Sequence, residues 1–207
     1  MKPTVGIDRY RRLVAPLVAL LVASTTLVRT THAQTGTARG ALTLTTAAWP
    51  DGGQIPPRFT QAGDQTSPEL SWTNVPAGTQ SFVVNMLDPD AALQKGTETQ
   101  AHWIVWNIPG TATGLPEGMK PGPDLPNGAH QISASGRQYR GPGAPATGPA
   151  HHYTIELYAL DTQLDVPAST ATQPSTAALE TRAAVMKAMQ GHVLGKAVYV
   201  GLFHRAP

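Results

Sequence analysis

The stretch Ser81-Phe82-Val83-Val84-Asn85-Met86-Leu87-Asp88 decides the fold of this chain. It is a short apolar run, weighted toward residues that suit a pleated surface, and Asp88-Pro89-Asp90 ends it with turn formers. A central strand reads this way. His102-Trp103-Ile104-Val105-Trp106-Asn107-Ile108 repeats the pattern downstream. Further out, Leu42 and Leu44 alternate with threonines across Ala41–Thr46, as in a half-buried strand. His152–Leu160 puts Tyr153, Ile155, Leu157 and Ala159 on one face, and Ala197–Phe203 supplies a last strand. Between these runs, Ile55-Pro56-Pro57 and Val75-Pro76-Ala77-Gly78 stop helices, because proline has no amide proton to donate.

One helix is predicted near the C-terminus. Ser175 or Thr176 is placed to cap it after Pro174, and Gly191 stands where a left-handed terminator belongs. Leu179, Ala183, Met186 and Gln190 recur at helical spacing and are expected to pack on the core. Two connections are dense in breakers. Pro109–Ala129 holds ten Gly or Pro in 21 residues and reads as plain surface connection; Gly136–Pro149 holds seven in 14. Pro123-Asp124-Leu125-Pro126 fits a PxxP pattern, a weak signal in a chain with 19 prolines.

Composition narrows the class. Of 207 residues 14% are charged, too few for self-repulsion to hold the chain open, and Gly and Pro show no collagen-like period. With no cysteine, a disulfide scaffold and a cysteine zinc site are both excluded. The formal charge of +2 belongs to the N-terminus: outside residues 1–33 there are 10 basic and 12 acidic residues. The basic balance is therefore no argument for nucleic acid. Arg9, Arg11 and Arg12 precede the uncharged stretch Leu13–Val28, and Thr31-His32-Ala33 offers small residues at −3 and −1 of a cut before Gln34. This is the form of a secretory signal, residues 1–33. A permanent anchor needs roughly 20 apolar residues, whereas this run has 16, with Pro16 inside it. The expectation is a single domain, 34–207, exported to the periplasm or medium, with no membrane span.

Polar groups concentrate at strand ends, where rigid sheets carry their sites. Asp88 and Asp90 leave one strand, His102 opens the next, and Gly141-Pro142-Gly143-Ala144-Pro145 runs toward His151-His152-Tyr153. Two carboxylates, imidazoles, a phenol and Gly/Pro backbone suit one small polar pocket. A carboxylate close to two imidazoles raises their pKa, so anions are expected to bind as pH falls toward about 6, on protonated His102 or His151. In a strand, His152 alternates away from His151 and Tyr153.

Leu87–Ala91, Ala101–Pro109, Thr113–Gly118, Tyr139–Asp161 and Gly191–Gly195, in this order, resemble the phosphatidylethanolamine-binding protein family, in its bacterial Raf-kinase-inhibitor-like (YbhB/YbcL-type) branch. The resemblance runs from about Ala41 to Phe203. It implies a mainly β fold, a sandwich with a large antiparallel sheet and one or two short helices near the C-terminus. It also implies an anion pocket at the rim for phosphate or phosphorylethanolamine. Asp88 and His102 match the family's pocket aspartate and histidine, His151 and Tyr153 its His-Arg-Tyr segment, and Gly141, Pro142, Gly143 and Pro145 its Gly/Pro wall. Three positions depart from the pattern: Ala92 replaces a proline, Gly143 a cysteine and His152 an arginine.

The resemblance implies a binding protein for a small anionic ligand or phospholipid head group, without cofactor. A second reading stays open, an inhibitor or interaction protein acting on a protease or kinase-like partner through its surface. Catalysis is not expected. There is no G-x-S-x-G elbow, His-x-x-x-His zinc spacing is missing from the pocket, and prolines interrupt the G-x-G-x-x-A look-alike at Gly141–Ala146.

Overall fold

Two strands, β4 (Ser81–Asp88) and β5 (Gln100–Pro109), pair antiparallel in the larger of two sheets. The computed structural model describes residues 40–91, 99–122, 124–167 and 172–206. The segment 1–33 expected to be a leader, Ala92 and Pro123 fall outside the described residues. A six-stranded sheet runs in the order β2 (Gly53–Gln54), β9 (Val193–Phe203), β8 (His151–Leu160), β4, β5, β7 (His130–Ile132). Its neighbours are antiparallel apart from β2, which runs parallel to β9. A smaller sheet, in the order β1 (Thr43–Thr45), β3 (Leu70–Thr73), β6 (Gly114–Leu115), covers one face of it.

Every residue of β4 is buried because the large sheet is covered on both sides. Phe82, Val84 and Met86 meet Leu44, Trp72 and Ile155 between the sheets, with the Trp72 and Phe82 rings 5.1 Å apart. Val83 faces the other way and joins Ile104, Trp106 and the helix α1 (Pro174–Ala188). Full burial of such side chains contributes about 1.5–3 kcal/mol each. β8 has only one buried face, so it alternates as expected, with Tyr153, Ile155, Leu157 and Ala159 inside.

The helix departs from the sequence expectation in two ways. Its N-cap is Gln173, which makes no side-chain cap bond, and Ser175 and Thr176 lie inside the first turn. Pro174 takes the first helical position, where its fixed φ fits and its missing amide costs nothing. The buried stripe is Ala177, Ala178, Thr181 and Val185, whereas Ala183 and Gln190 are exposed. Small side chains let the helix lie close over Ile104 and Trp106. Gly191 does adopt the left-handed conformation, at φ +85°. The connection Pro109–Ala129 is also more than surface: it holds β6 and buries Leu115 and Leu125.

Two bulges shape β5. Leu87 pairs with Ala101 and Met86 with Trp103, so His102 is an extra residue with no opposite number. Likewise Trp106 and Asn107 together face the gap between the pairs Phe82–Ile108 and Val84–Val105. Asn107 sits at φ +57°, and its amide replaces lost ladder bonds by pairing with both N and O of Leu164, at 2.8 and 2.9 Å. Bulges of this kind re-aim side chains next to sites.

Gly201, opposite Tyr153 on one side and Gly53 of β2 on the other, lies close to the residues that flank β2. A Cβ there would lie 2.5 Å from Ile55 Cγ1 and 2.6 Å from Trp49 Nε1. Gly201→Ala should therefore lower stability by about 1–3 kcal/mol, read as a drop in the urea midpoint. An unchanged midpoint would mean that Trp49 and Ile55 yield freely.

Candidate functional site

The rim of the large sheet carries a hollow of about 190 Å³. It is below the roughly 300–1,000 Å³ of pockets for drug-sized ligands and suits one small polar group. Asp88 forms its centre, at the last position of β4, with only 5% of its side chain exposed. Oδ1 accepts the amides of Asp90 and Ala91 at 3.0 and 3.1 Å, the turn-forming role open to any Asp-Pro. Oδ2 accepts from His151 Nδ1 at 2.9 Å. Asp88 thus orders the turn and one imidazole at once.

His102 reaches the hollow from the bulge in β5. Its Nδ1 lies 2.9 Å from the carbonyl of Arg140, whose own amide donates to the His102 carbonyl at 3.0 Å. The ring stands edge-on to Tyr153, with centroids 5.0 Å apart. Burial pushes the His102 imidazole down to about 4, against the opposing pull of Asp88. This corrects the expectation that a nearby carboxylate raises it. Desolvation of the cation outweighs the attraction, and His102 is a neutral ring at physiological pH.

Tyr153 points inward from β8, and its phenolic oxygen accepts the amides of Gly143 and Ala144 at 3.1 and 3.0 Å. Burial, reinforced by Asp88, raises its pKa, so it stays a phenol. Pro145 completes the wall. Next to it stand Gly141, whose backbone interacts with His102, and Pro142. Their carbonyls accept the side-chain and main-chain amides of Gln61, both at 2.8 Å. A Cβ on Gly141 would fall 2.7 Å from the Phe59 carbonyl oxygen, and one on Gly143 would run into the Gln61 amide. The backbone approach requires glycine at 141, whereas at 143 the Gln61 side chain fills the space and would have to move for a larger residue.

Asp90 is also corrected. It does not line the hollow but turns outward, where its Oδ2 accepts from His152 N and Nδ1 at 2.7 and 2.9 Å. Those bonds hold its carboxyl below the usual range. Strand alternation sends His152 to the opposite side from His151 and Tyr153, and Asp90 follows it.

Gln61, Gln100 and Arg140 line the hollow although the sequence reading did not select them. Arg140 had a legible signal, a cation directly before the Gly/Pro wall. Gln61 had none, because it arrives from a turn 80 residues before Gly141. Among the described residues, no cluster of three or more His, Cys, Asp or Glu side chains is arranged to hold a metal ion.

The family model for phosphatidylethanolamine-binding protein matches residues 45–204. The chain belongs to the phosphatidylethanolamine-binding protein family. A curated relative named UPF0098 protein, from Methanothermobacter thermautotrophicus, is 40% identical over 166 residues, covering 79% of this chain and 99% of that one. YbcL of Escherichia coli is 43% identical over 109 residues, 49% of this chain and 56% of its own. The crystal structure of E. coli YbcL superposes with a TM-score of 0.66 at 26% identity, covering 80% of this chain and 99% of that chain. These similarities place the chain with family members of the bacterial YbhB/YbcL type. The mainly β architecture and single C-terminal helix are those of the family fold. Among the described residues, no helix is long and apolar enough to cross a membrane.

Proposed function

We propose that this family member is an exported, non-catalytic binding protein that holds a small anionic group of phosphate or phosphorylethanolamine type in the hollow at the sheet rim. The observation that carries the reading is convergence. Asp88, His102, His151 and Tyr153, spread over 66 positions of the chain, reach one cavity that admits a head group and little more. Asp88 positions the rim, the rings and the Gly/Pro wall set the shape, and Gln100 and Gln61 offer neutral polar contacts. Export rests on the leader signature of residues 1–33.

Titration of the purified chain with inorganic phosphate and with phosphorylethanolamine tests the reading, followed through the imidazole NMR signals. The ring signals of His102 and His151 should move with saturation, while His192, paired with Asp161 elsewhere on the surface, should not. Equal response at all three rings, or at none, would dismiss the assignment. Recovery outside the cytoplasm of a chain beginning at Gln34 is the expected mark of export, and retention of residues 1–33 in the cytoplasm would refute it.

A further inference from the structure

We infer that Arg140, and neither imidazole, supplies the standing positive charge that an anion meets in the hollow. The inference rests on the anion-binding reading above and adds which residue carries the charge. Donors and acceptors decide it. A carbonyl oxygen only accepts, so the His102 nitrogen facing the Arg140 carbonyl at 2.9 Å must carry the proton. The neutral ring is then left with Nε2 as an acceptor, the wrong polarity for an oxyanion. His151 repeats the arrangement: its Nδ1 donates to Asp88 Oδ2, and its Nε2 accepts unless the ring gains a second proton. Asp88 itself repels an anion, and Tyr153, which accepts two backbone amides and keeps its phenol proton, carries no charge.

Arg140 is the remaining charged group that lines the cavity. Its main chain is bonded to His102 in both directions, which fixes where the side chain starts. Nη1 donates to Ser135 Oγ at 2.7 Å, which orients the guanidinium. Nε is buried with no acceptor among the described residues. A buried charged donor left unmet is the exception in folded proteins and points to an oxygen it is built to receive. A guanidinium presents a planar fork that matches phosphate oxygens, and it keeps its charge at every relevant pH.

The test compares the full chain with Arg140→Gln and Arg140→Lys, titrated with inorganic phosphate and separately with phosphorylethanolamine at pH 8 and pH 6. The wild type should bind at both pH values. Arg140→Gln should lose about 10- to 100-fold in affinity at pH 8. Arg140→Lys, which keeps the charge without the fork, should fall between them. Ser135→Ala checks positioning: it should weaken binding while leaving its insensitivity to pH. Matching circular dichroism and melting curves establish that the variants are folded. Binding by Arg140→Gln within about twofold of wild type at pH 8 would overturn the inference. So would a wild type that binds only at pH 6, which would assign the charge to an imidazolium and leave the anion reading standing. If the wild type takes neither probe at either pH, the anion reading falls and this inference with it. A preference for phosphorylethanolamine over phosphate would identify a head group as the source of the anion.

Discussion

Trp103→Ala should lower the folding free energy by about 3–5 kcal/mol, measured from urea midpoints of the purified chain. Trp103 is 1% exposed and packs edge-on against Tyr139, with ring centroids 5.5 Å apart. Its loss opens a cavity between the sheets and removes a buried hydrogen bond. Nε1 donates to Gln131 Oε1 at 2.9 Å, and Gln131 Nε2 donates in turn to the carbonyls of Lys120 and Gly122 at 2.7 and 3.2 Å. The indole therefore helps to hold the 116–122 connection onto the sheet. Trp103→Phe keeps most of the apolar contact but leaves the amide oxygen unmet, so a smaller loss of about 1–3 kcal/mol is expected. A loss below about 1 kcal/mol for the alanine variant would show that the core collapses without cost around position 103.

The second large effect is an acid limb set by His102. Its ordinary value is 6.5, and in the folded protein burial pushes it down to about 4. As pH falls through 6.5 the unfolded chain takes up the proton first, so acid favours unfolding. The loss accumulates between pH 6.5 and 4 and totals about 3 kcal/mol; above 6.5 this residue makes stability independent of pH. Asp90 and Glu156, both held below their usual range, add losses that come at lower pH. Comparison with His102→Gln isolates the imidazole, since the amide can still donate to the Arg140 carbonyl. The variant should show a flatter stability profile from pH 7 to 4.5 than the wild type. Identical slopes would mean that the folded protein protonates His102 normally, which would return it to the role of a cation.

How far the sequence could be read follows from what leaves a mark in it. Ser81–Asp88 was legible because a strand covered on both faces is apolar at almost every position, and the structure returns the same bounds. The Tyr153, Ile155, Leu157, Ala159 alternation was legible because β8 has one wet face. The two- to four-residue strands β2, β3, β6 and β7 were not, since so few residues carry no period. The helix was placed correctly but turned part of the way about its axis: Met186 packs on the core as expected, while Ala177, Ala178, Thr181 and Val185 form the buried stripe and Ala183 and Gln190 are exposed. At the site, motif order brought out Asp88, His102, His151 and Tyr153. It could not say that Asp90 turns outward to His152, which depends on side-chain direction within turns. The protonation of His102 was misjudged for a related reason. Charge proximity can be guessed from a motif, but desolvation depends on everything packed around the ring.

The supernumerary position of His102 separates the gene's instructions for folding from those for binding. Excising that one codon would let Ala101 and Trp103 pair in succession with Leu87 and Met86, each still facing the layer it faces now. The ladder would zip shut and the hydrophobic layers would keep their frame, while the hollow lost its floor. A lineage could discard the ligand by a three-base deletion and keep the scaffold for other uses, and an insertion at the same place would be the reverse route.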